Sequence, residues 1–78
     1  MKLTALNLPR DFTEDALAKL FKHHGNIKSC KLVIDEKTGK SKGFGFVEMA
    51  LDHEGLEAIK QLHGSTVGKS KIRVKQAE

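Results

Sequence analysis

The alternation of apolar and polar residues along the chain predicts four β-strands and two α-helices. Side chains alternate between faces on a strand, and they return to one face every three or four residues on a helix. By these rules the strands are expected at residues 2–8, 27–35, 42–49 and 71–75, and the helices at residues 13–24 and 52–63. The predicted order of elements is therefore βαββαβ.

The residues at the helix ends support these boundaries. Thr13 is expected to cap the first helix and Asp52 the second, because both side chains can accept a hydrogen bond from a backbone N–H of the first turn. Gly25 and Gly64 follow the two helices and are natural C-terminal stops.

The second helix carries a glycine beside its predicted apolar stripe. That stripe consists of Leu56, Ile59 and Leu62. A glycine inside a helix costs about 1 kcal/mol relative to alanine. Close approach of the helix to the sheet is a reason for Gly55 to be accepted there.

The third predicted strand, residues 42–49, has two unlike faces. One face would carry Lys42, Phe44, Phe46 and Glu48, and the other Gly43, Gly45, Val47 and Met49. Since charged side chains are rarely buried without partners, the first face is expected to meet solvent. Two phenylalanines would then be exposed beside a cation. This arrangement suits the unstacked bases of a single nucleic-acid strand.

The alternative is that another element covers this aromatic face, with Lys42 and Glu48 reaching out at its edges. Two amphipathic helices can cover only one side of a sheet, and 78 residues leave no third layer. The expected fold is α+β and ferredoxin-like, a four-stranded antiparallel sheet with both helices on one face. We expect one domain over residues 1–78, whose other sheet face is open unless a partner or second copy covers it.

Composition agrees with a small folded domain. Of the 78 residues, 38% are hydrophobic and 31% charged, and the net charge of +4 fits a polyanionic partner without requiring one. A lone cysteine excludes an internal disulfide, and Cys30 is expected to be a small core residue in a reducing compartment. The sequence shows neither an apolar run of membrane-spanning length nor a secretion leader, so no membrane association is expected.

Candidate catalytic and metal-binding patterns are weak. His23 and His24 are adjacent on a helix, point about 100° apart, and have no zinc-ligand spacing with Cys30. Most carboxylates lie near helix starts, where capping and solvation explain them. Gly43 and Gly45 lie inside a strand and form no phosphate-binding loop. We therefore expect no enzyme activity, no metal and no cofactor.

The octamer at residues 42–49 resembles the signature of the RNA recognition motif family. Six successive positions match its basic, Gly, aromatic, Gly, aromatic, aliphatic run, whereas Met49 occupies a usually aromatic position. Residues 3–8 resemble the family's first-strand hexamer, with Thr4 where an aromatic residue commonly stacks a base. The resemblance covers nearly the whole chain.

This resemblance implies roles for individual residues. Phe46 would stack a base, Phe44 would pack against the sugars, and Lys42 would contact a phosphate or base. Thr4 would stand where a third platform is usual. One side of the groove would be lined by Lys71, Arg73 and Lys75, the other by Lys31 and Val33, and Lys37 and Lys40 of the intervening loop would clamp the backbone. With two rings instead of three, we expect micromolar or weaker binding of a few nucleotides.

Three functions follow from this pattern, with single-stranded RNA binding the leading one. A protein-interaction module on the same fold is the second. Family members of that kind often carry an Arg-x-Phe element before the last strand, which residues 68–71 lack. The third is single-stranded DNA binding, because stacking is indifferent to the 2′-hydroxyl. We expect a monomer located in the cytoplasm, or in the nucleus if the source is a eukaryote.

Overall fold

The computed structural model describes residues 1–77, which form six strands and two helices. The strands are β1 (Lys2–Leu6), β2 (Ile27–Ile34), β3 (Ser41–Met49), β4 (Thr66–Val67), β5 (Ser70–Lys71) and β6 (Arg73–Gln76). The helices are α1 (Glu14–Lys22) and α2 (Asp52–Leu62). Within these 77 residues, neither helix has the length and apolar character that crossing a membrane requires.

Four strands form one antiparallel sheet in the order β2-β3-β1-β6, with β3 and β1 at its centre. Inward side chains of the sheet and both helices share a single core. Its buried members are Leu3, Ala5, Leu8, Leu17, Phe21, Leu32, Val47, Met49, Ala58, Leu62, Ile72 and Val74. Both helices contribute to this one core, and within residues 1–77 no helix or further sheet lies over the other face of the four-stranded sheet. The predicted ferredoxin-like fold is confirmed.

The first strand is shorter than the prediction of residues 2–8. Asn7 has a φ of 60°, in the left-handed region that asparagine tolerates better than most residues. This conformation ends the pairing of β1 after Leu6. Leu8 is nonetheless buried, and its N–H donates to the Gly43 carbonyl at 2.8 Å.

The predicted strand at residues 71–75 is interrupted at Ile72. Its N–H donates to the Ser65 carbonyl at 2.9 Å, and its carbonyl accepts from the Gly64 N–H at 2.8 Å. These bonds tie Ile72 to the turn after α2, so only β6 pairs with β1. The preceding β5 pairs with β4 in a separate two-stranded hairpin, which the sequence pattern did not predict.

The N-cap residue was predicted correctly for α1 but not for α2. Thr13 caps α1 as expected, since its Oγ1 accepts the Ala16 N–H at 3.1 Å. For α2 the prediction was wrong, because Leu51 is the N-cap residue and makes no side-chain capping bond. Asp52 is instead the first helical residue, with its carboxylate 3.6 Å from the α-ammonium of Met1.

The apolar stripe predicted for α2 was also partly wrong. Leu56 is 56% exposed, whereas Gly55, Ala58 and Leu62 are buried. A Cβ atom at Gly55 would lie 2.6 Å from the Met1 sulfur, so only glycine admits this approach without movement of Met1. The helix therefore turns its small residues toward the sheet, as the close approach inferred from Gly55 requires.

Candidate nucleic-acid interface

Strand β3 separates its side chains between the core and the open sheet face. Ser41, Gly43, Gly45, Val47 and Met49 are buried. The alternate positions Lys42, Phe44, Phe46 and Glu48 lie on the open face, where Phe46 is 43% exposed and Phe44 is half-buried. The alternation read from the sequence thus gives the observed orientation of both rings.

Gly45 allows this strand to lie close against its neighbours. A Cβ atom at this position would stand 2.7 Å from the Lys31 carbonyl oxygen and 2.9 Å from Cδ2 of Leu17. The absence of a side chain therefore lets α1 and β2 pack tightly behind the two rings. The packing of α1 and β2 behind Gly45 supports, from the core side, the part of β3 that carries Phe44 and Phe46.

The two rings meet edge to face. Their centroids are 6.2 Å apart and their planes are inclined by 84°. Such a geometry is favourable between aromatic rings. Because the planes are nearly perpendicular, one flat base cannot stack on both rings, so Phe44 and Phe46 offer different contacts to a nucleotide strand.

Cross-strand register sets a row of residues across the sheet. Phe46 is paired with Lys31 on β2 and with Thr4 on β1, and Thr4 is paired with Lys75 on β6. Directly paired residues share a face. The open face therefore carries a cation at each end of this row, with one exposed ring and one hydroxyl between them.

A second row lies beside the first. Phe44 is paired with Leu6, which is paired with Arg73. Leu6 lies half-buried on the open face. Around this row is a groove of about 520 Å³, lined by Leu6, Asn7, Leu8, Arg10, Lys42, Gly43, Phe44 and Arg73.

Two residues of this groove were missed from the sequence. Arg10 follows Pro9, which ends the first predicted strand. A basic residue directly after that strand was the signal in the sequence that could have placed Arg10 in the groove. Asn7 donates from Nδ2 to the Lys71 carbonyl at 2.7 Å. Asparagine tolerates the left-handed conformation better than most other non-glycine residues, which was the signal for a turn there.

Three predicted site residues, Val33, Lys40 and Lys71, lie outside both these rows and the groove beside Phe44. Val33 is half-buried on β2, where the pairing with β3 shifts register between Leu32 and Ile34. Lys40 is exposed in the loop between β2 and β3, and Lys71 is exposed in β5, outside the four-stranded sheet. The structure thus places Lys31, Lys42, Phe44, Phe46, Thr4, Arg73 and Lys75 together on the open face and these three around it.

Cys30 is half-buried rather than a full core residue, and its thiol lies 3.8 Å from the Glu14 carbonyl oxygen. Burial, followed by the negative charges of Glu14 and Asp15, raises the pKa of the Cys30 thiol from 9.0 to about 11. Among residues 1–77, no three His, Cys, Asp or Glu side chains are grouped so as to hold a metal ion.

The raised pKa predicts slow alkylation of Cys30 in the folded chain. Only the thiolate reacts, so at about pH 8 iodoacetamide should react roughly 100-fold more slowly than with the unfolded chain. Mass spectrometry of timed samples, with and without denaturant, measures both rates. Equal rates in the two states would contradict the assigned environment of the thiol.

Comparison with known proteins agrees with this geometry. The model of the RNA recognition motif family matches residues 6–73. The putative RNA-binding protein RbpB of Nostoc sp. is 37% identical over 78 residues, covering 100% of this chain and 76% of that protein. The chloroplastic 28 kDa ribonucleoprotein of Nicotiana sylvestris is 42% identical over 72 residues, covering 92% of this chain. This chain spans only 26% of that relative.

Solved structures are similar over nearly the whole chain. RNA recognition domains 1 and 2 of Sex-lethal from Drosophila melanogaster superpose with a TM-score of 0.93 at 36% identity, covering 99% of this chain and 49% of that one. The Rna15 domain with bound RNA gives 0.93 at 25% identity, covering 99% and 82%. Since the family model matches most of the sequence and the fold agrees, the chain belongs to the RNA recognition motif family.

Proposed function

We propose that this chain binds single-stranded RNA, a few nucleotides at a time, on its open sheet face. The observation that carries the proposal is the exposure of Phe46, beside Phe44, on the side of the sheet away from both helices. Membership of the RNA recognition motif family supports it. The proposed role needs no catalytic step and no cofactor.

The geometry supports distinct roles for the residues of the two rows. Phe46 stacks one base, and the perpendicular Phe44 packs against sugars of adjacent nucleotides. Lys31 and Lys75 stand at the two ends of the Phe46 row, where they meet phosphates on either side of the stacked base. Lys42, Arg73 and the newly found Arg10 supply cations to the groove beside Phe44.

The domain works as a monomer in this proposal, because RNA occupies the one sheet face that a second copy could cover. The two relatives named above are a protein of a cyanobacterium and a chloroplastic protein of a plant. Within its source cell we place the chain in the cytoplasm, since the single cysteine suits a reducing compartment.

A titration of the ¹⁵N-labelled chain with uridine-rich RNA pentamers and DNA pentamers of matching sequence tests the proposal. Amide signals of β1 and β3 should shift on addition of RNA, with saturation at micromolar or higher concentration. Shifts with DNA alone would assign the site to single-stranded DNA. Unchanged spectra with both would refute nucleic-acid binding.

We attribute the expected weak affinity to Thr4, and replacing this residue tests the explanation. Thr4→Phe places a ring between Phe46 and Lys75 in the first row. One additional stacked base should lower Kd by about tenfold, since base stacking on an aromatic ring is worth roughly 1–3 kcal/mol. Fluorescence anisotropy with a labelled RNA pentamer measures the change. An unchanged Kd would show that no base reaches this position.

The positive charge of Arg73 is expected to contribute to the salt dependence of RNA binding. For a single strand, each phosphate contact contributes about 0.7 to the slope of log K against log salt. Arg73→Ala should therefore weaken binding and reduce that slope by about 0.7. Lys60→Ala is the matched control, because Lys60 is exposed on α2 and its replacement removes one positive charge on the side of the sheet away from the open face. Equal effects of both variants would contradict a local contact at Arg73.

A further inference from the structure

Glu48 is an acidic residue on an otherwise basic open face. It follows Phe46 by two positions on β3, so the two side chains are neighbours on one face with Cα atoms roughly 7 Å apart. Its side chain is 32% exposed. A carboxylate at this place repels phosphates, so its presence beside the stacking ring needs an explanation.

Other carboxylates near the sheet have structural partners. Glu14 accepts the Leu32 N–H at 3.1 Å, and Glu54 accepts the Asn26 N–H at 3.1 Å. Glu48 lies 3.9 Å from the Lys28 ammonium, which is too long for a hydrogen bond. Within residues 1–77, the carboxylate of Glu48 therefore keeps its acceptor capacity for a ligand.

Two lysines near Glu48 offset the negative charge of its carboxylate. Lys28 forms the long ion pair, and Lys2 is the direct cross-strand partner of Glu48 on β1. A depression of about 830 Å³ joins this carboxylate to the stacking ring. It is lined by Lys2, Glu14, Ser29, Cys30, Lys31, Phe46, Val47, Glu48 and Ala77, and of its two carboxylates Glu14 already accepts the Leu32 N–H. A purine stacked on Phe46 would lie in this depression, with Glu48 two positions further along β3.

The chemistry of a carboxylate restricts which base fits there. An ionised carboxylate only accepts hydrogen bonds, through two oxygens side by side. The Watson–Crick edge of guanine presents two adjacent donors, the ring N1–H and the exocyclic amine. Uracil presents one N–H between two carbonyl oxygens, and adenine and cytosine each place a ring acceptor beside their amine. Only guanine matches both oxygens.

We infer that Glu48 selects guanine as the base stacked on Phe46, an assignment that rests on the proposed RNA binding. Phe46 stacks on a base of any kind, and the carboxylate of Glu48 distinguishes guanine through hydrogen bonds to the edge of the base. Lys28 and Lys2 keep the local charge near balance, so that the strand's phosphates are still attracted to the face.

Binding of five RNA pentamers tests the inference. The probes are UUGUU, UUAUU, UUCUU, UUUUU and UUIUU, in which inosine keeps the N1–H of guanine but lacks the amine. The wild-type chain should bind UUGUU about tenfold more tightly than UUUUU, as expected of a bidentate contact to a base edge. UUIUU should lie between them. Fluorescence anisotropy of labelled pentamers supplies the dissociation constants.

Two variants separate the role of the carboxylate from that of charge alone. Glu48→Gln keeps the shape but replaces one acceptor by an N–H donor, so the tighter binding of UUGUU than of UUUUU should be lost. Glu57→Gln removes one charge from exposed α2, and it should keep the guanine preference. Thermal unfolding of each variant checks that the fold is retained.

The possible results distinguish this inference from the proposed function. Equal binding of the four natural pentamers, or a preference for uracil, adenine or cytosine, overturns the guanine assignment and leaves RNA binding in place. A guanine preference that persists in Glu48→Gln overturns the role of Glu48. If the wild-type chain binds none of the pentamers, both the proposed function and the inference fail.

Discussion

Replacing Phe44 and Phe46 together with alanine should abolish RNA binding while leaving the fold intact. Alanine substitution of a stacking ring costs roughly 1–3 kcal/mol of binding free energy. The two rings contact each other, with centroids 6.2 Å apart, so their losses should not add fully. A combined loss of at least about 2 kcal/mol would move a micromolar Kd into the weak range at which short oligonucleotides barely bind. Titration with the RNA pentamers measures this loss.

Folding of the double variant is the critical control. The rings lie on the open face, and the core is built from other residues, so the circular dichroism spectrum and cooperative unfolding should persist. Leu56→Ala provides a matched binding control, because Leu56 is an equally apolar and 56% exposed side chain on α2. Unfolding of the double variant would mean that the rings support the core. Weakened RNA binding by Leu56→Ala would place the site on the helical side.

Substitution of Gly45 by alanine should cause the largest loss of stability among single glycine changes. The new Cβ would meet the Lys31 carbonyl oxygen at 2.7 Å, and a backbone atom cannot move aside as a side chain does. Overpacking of this kind typically costs 1–3 kcal/mol, a large part of the roughly 5–15 kcal/mol that holds a small domain folded. Denaturant unfolding followed by circular dichroism measures the change in the free energy of unfolding.

Gly55→Ala is the matched control for Gly45→Ala. Its Cβ would lie 2.6 Å from the Met1 sulfur, which is the movable end of a flexible side chain. Replacing glycine by alanine inside a helix also gains about 1 kcal/mol, which offsets the displacement of Met1. If Gly55→Ala destabilises the chain as much as Gly45→Ala, the distinction between backbone and side-chain neighbours is wrong.

The orientation of β3 was predictable because it depends on residues next to each other in sequence. Lys42 and Glu48 require solvent, and strand geometry then places Phe44 and Phe46 beside them. The helix starting after Thr13 was predictable for the same local reason. The family resemblance of the octamer agreed with these physical arguments, and the family match confirms it.

Other features depend on hydrogen bonds between distant residues. The break at Ile72 arises from bonds to Gly64 and Ser65, which compete with the pairing to β1. The rotation of α2 that exposes Leu56 follows from the packing of Met1 on Gly55. In both cases the local pattern permits two arrangements, and long-range contacts select one of them.

The amino-acid sequence by itself determined the order of the two helices and the four strands of the main sheet, the two-layer fold and the aromatic face of β3, because period-two and period-three-to-four patterns are local. Only the tertiary structure decided which residues stand beside that face. Register across four strands aligns Lys31, Phe46, Thr4 and Lys75, and it places Lys2 opposite Glu48. Register depends on pairing between segments up to the full length of the chain apart, and alternation within one strand carries no information about it.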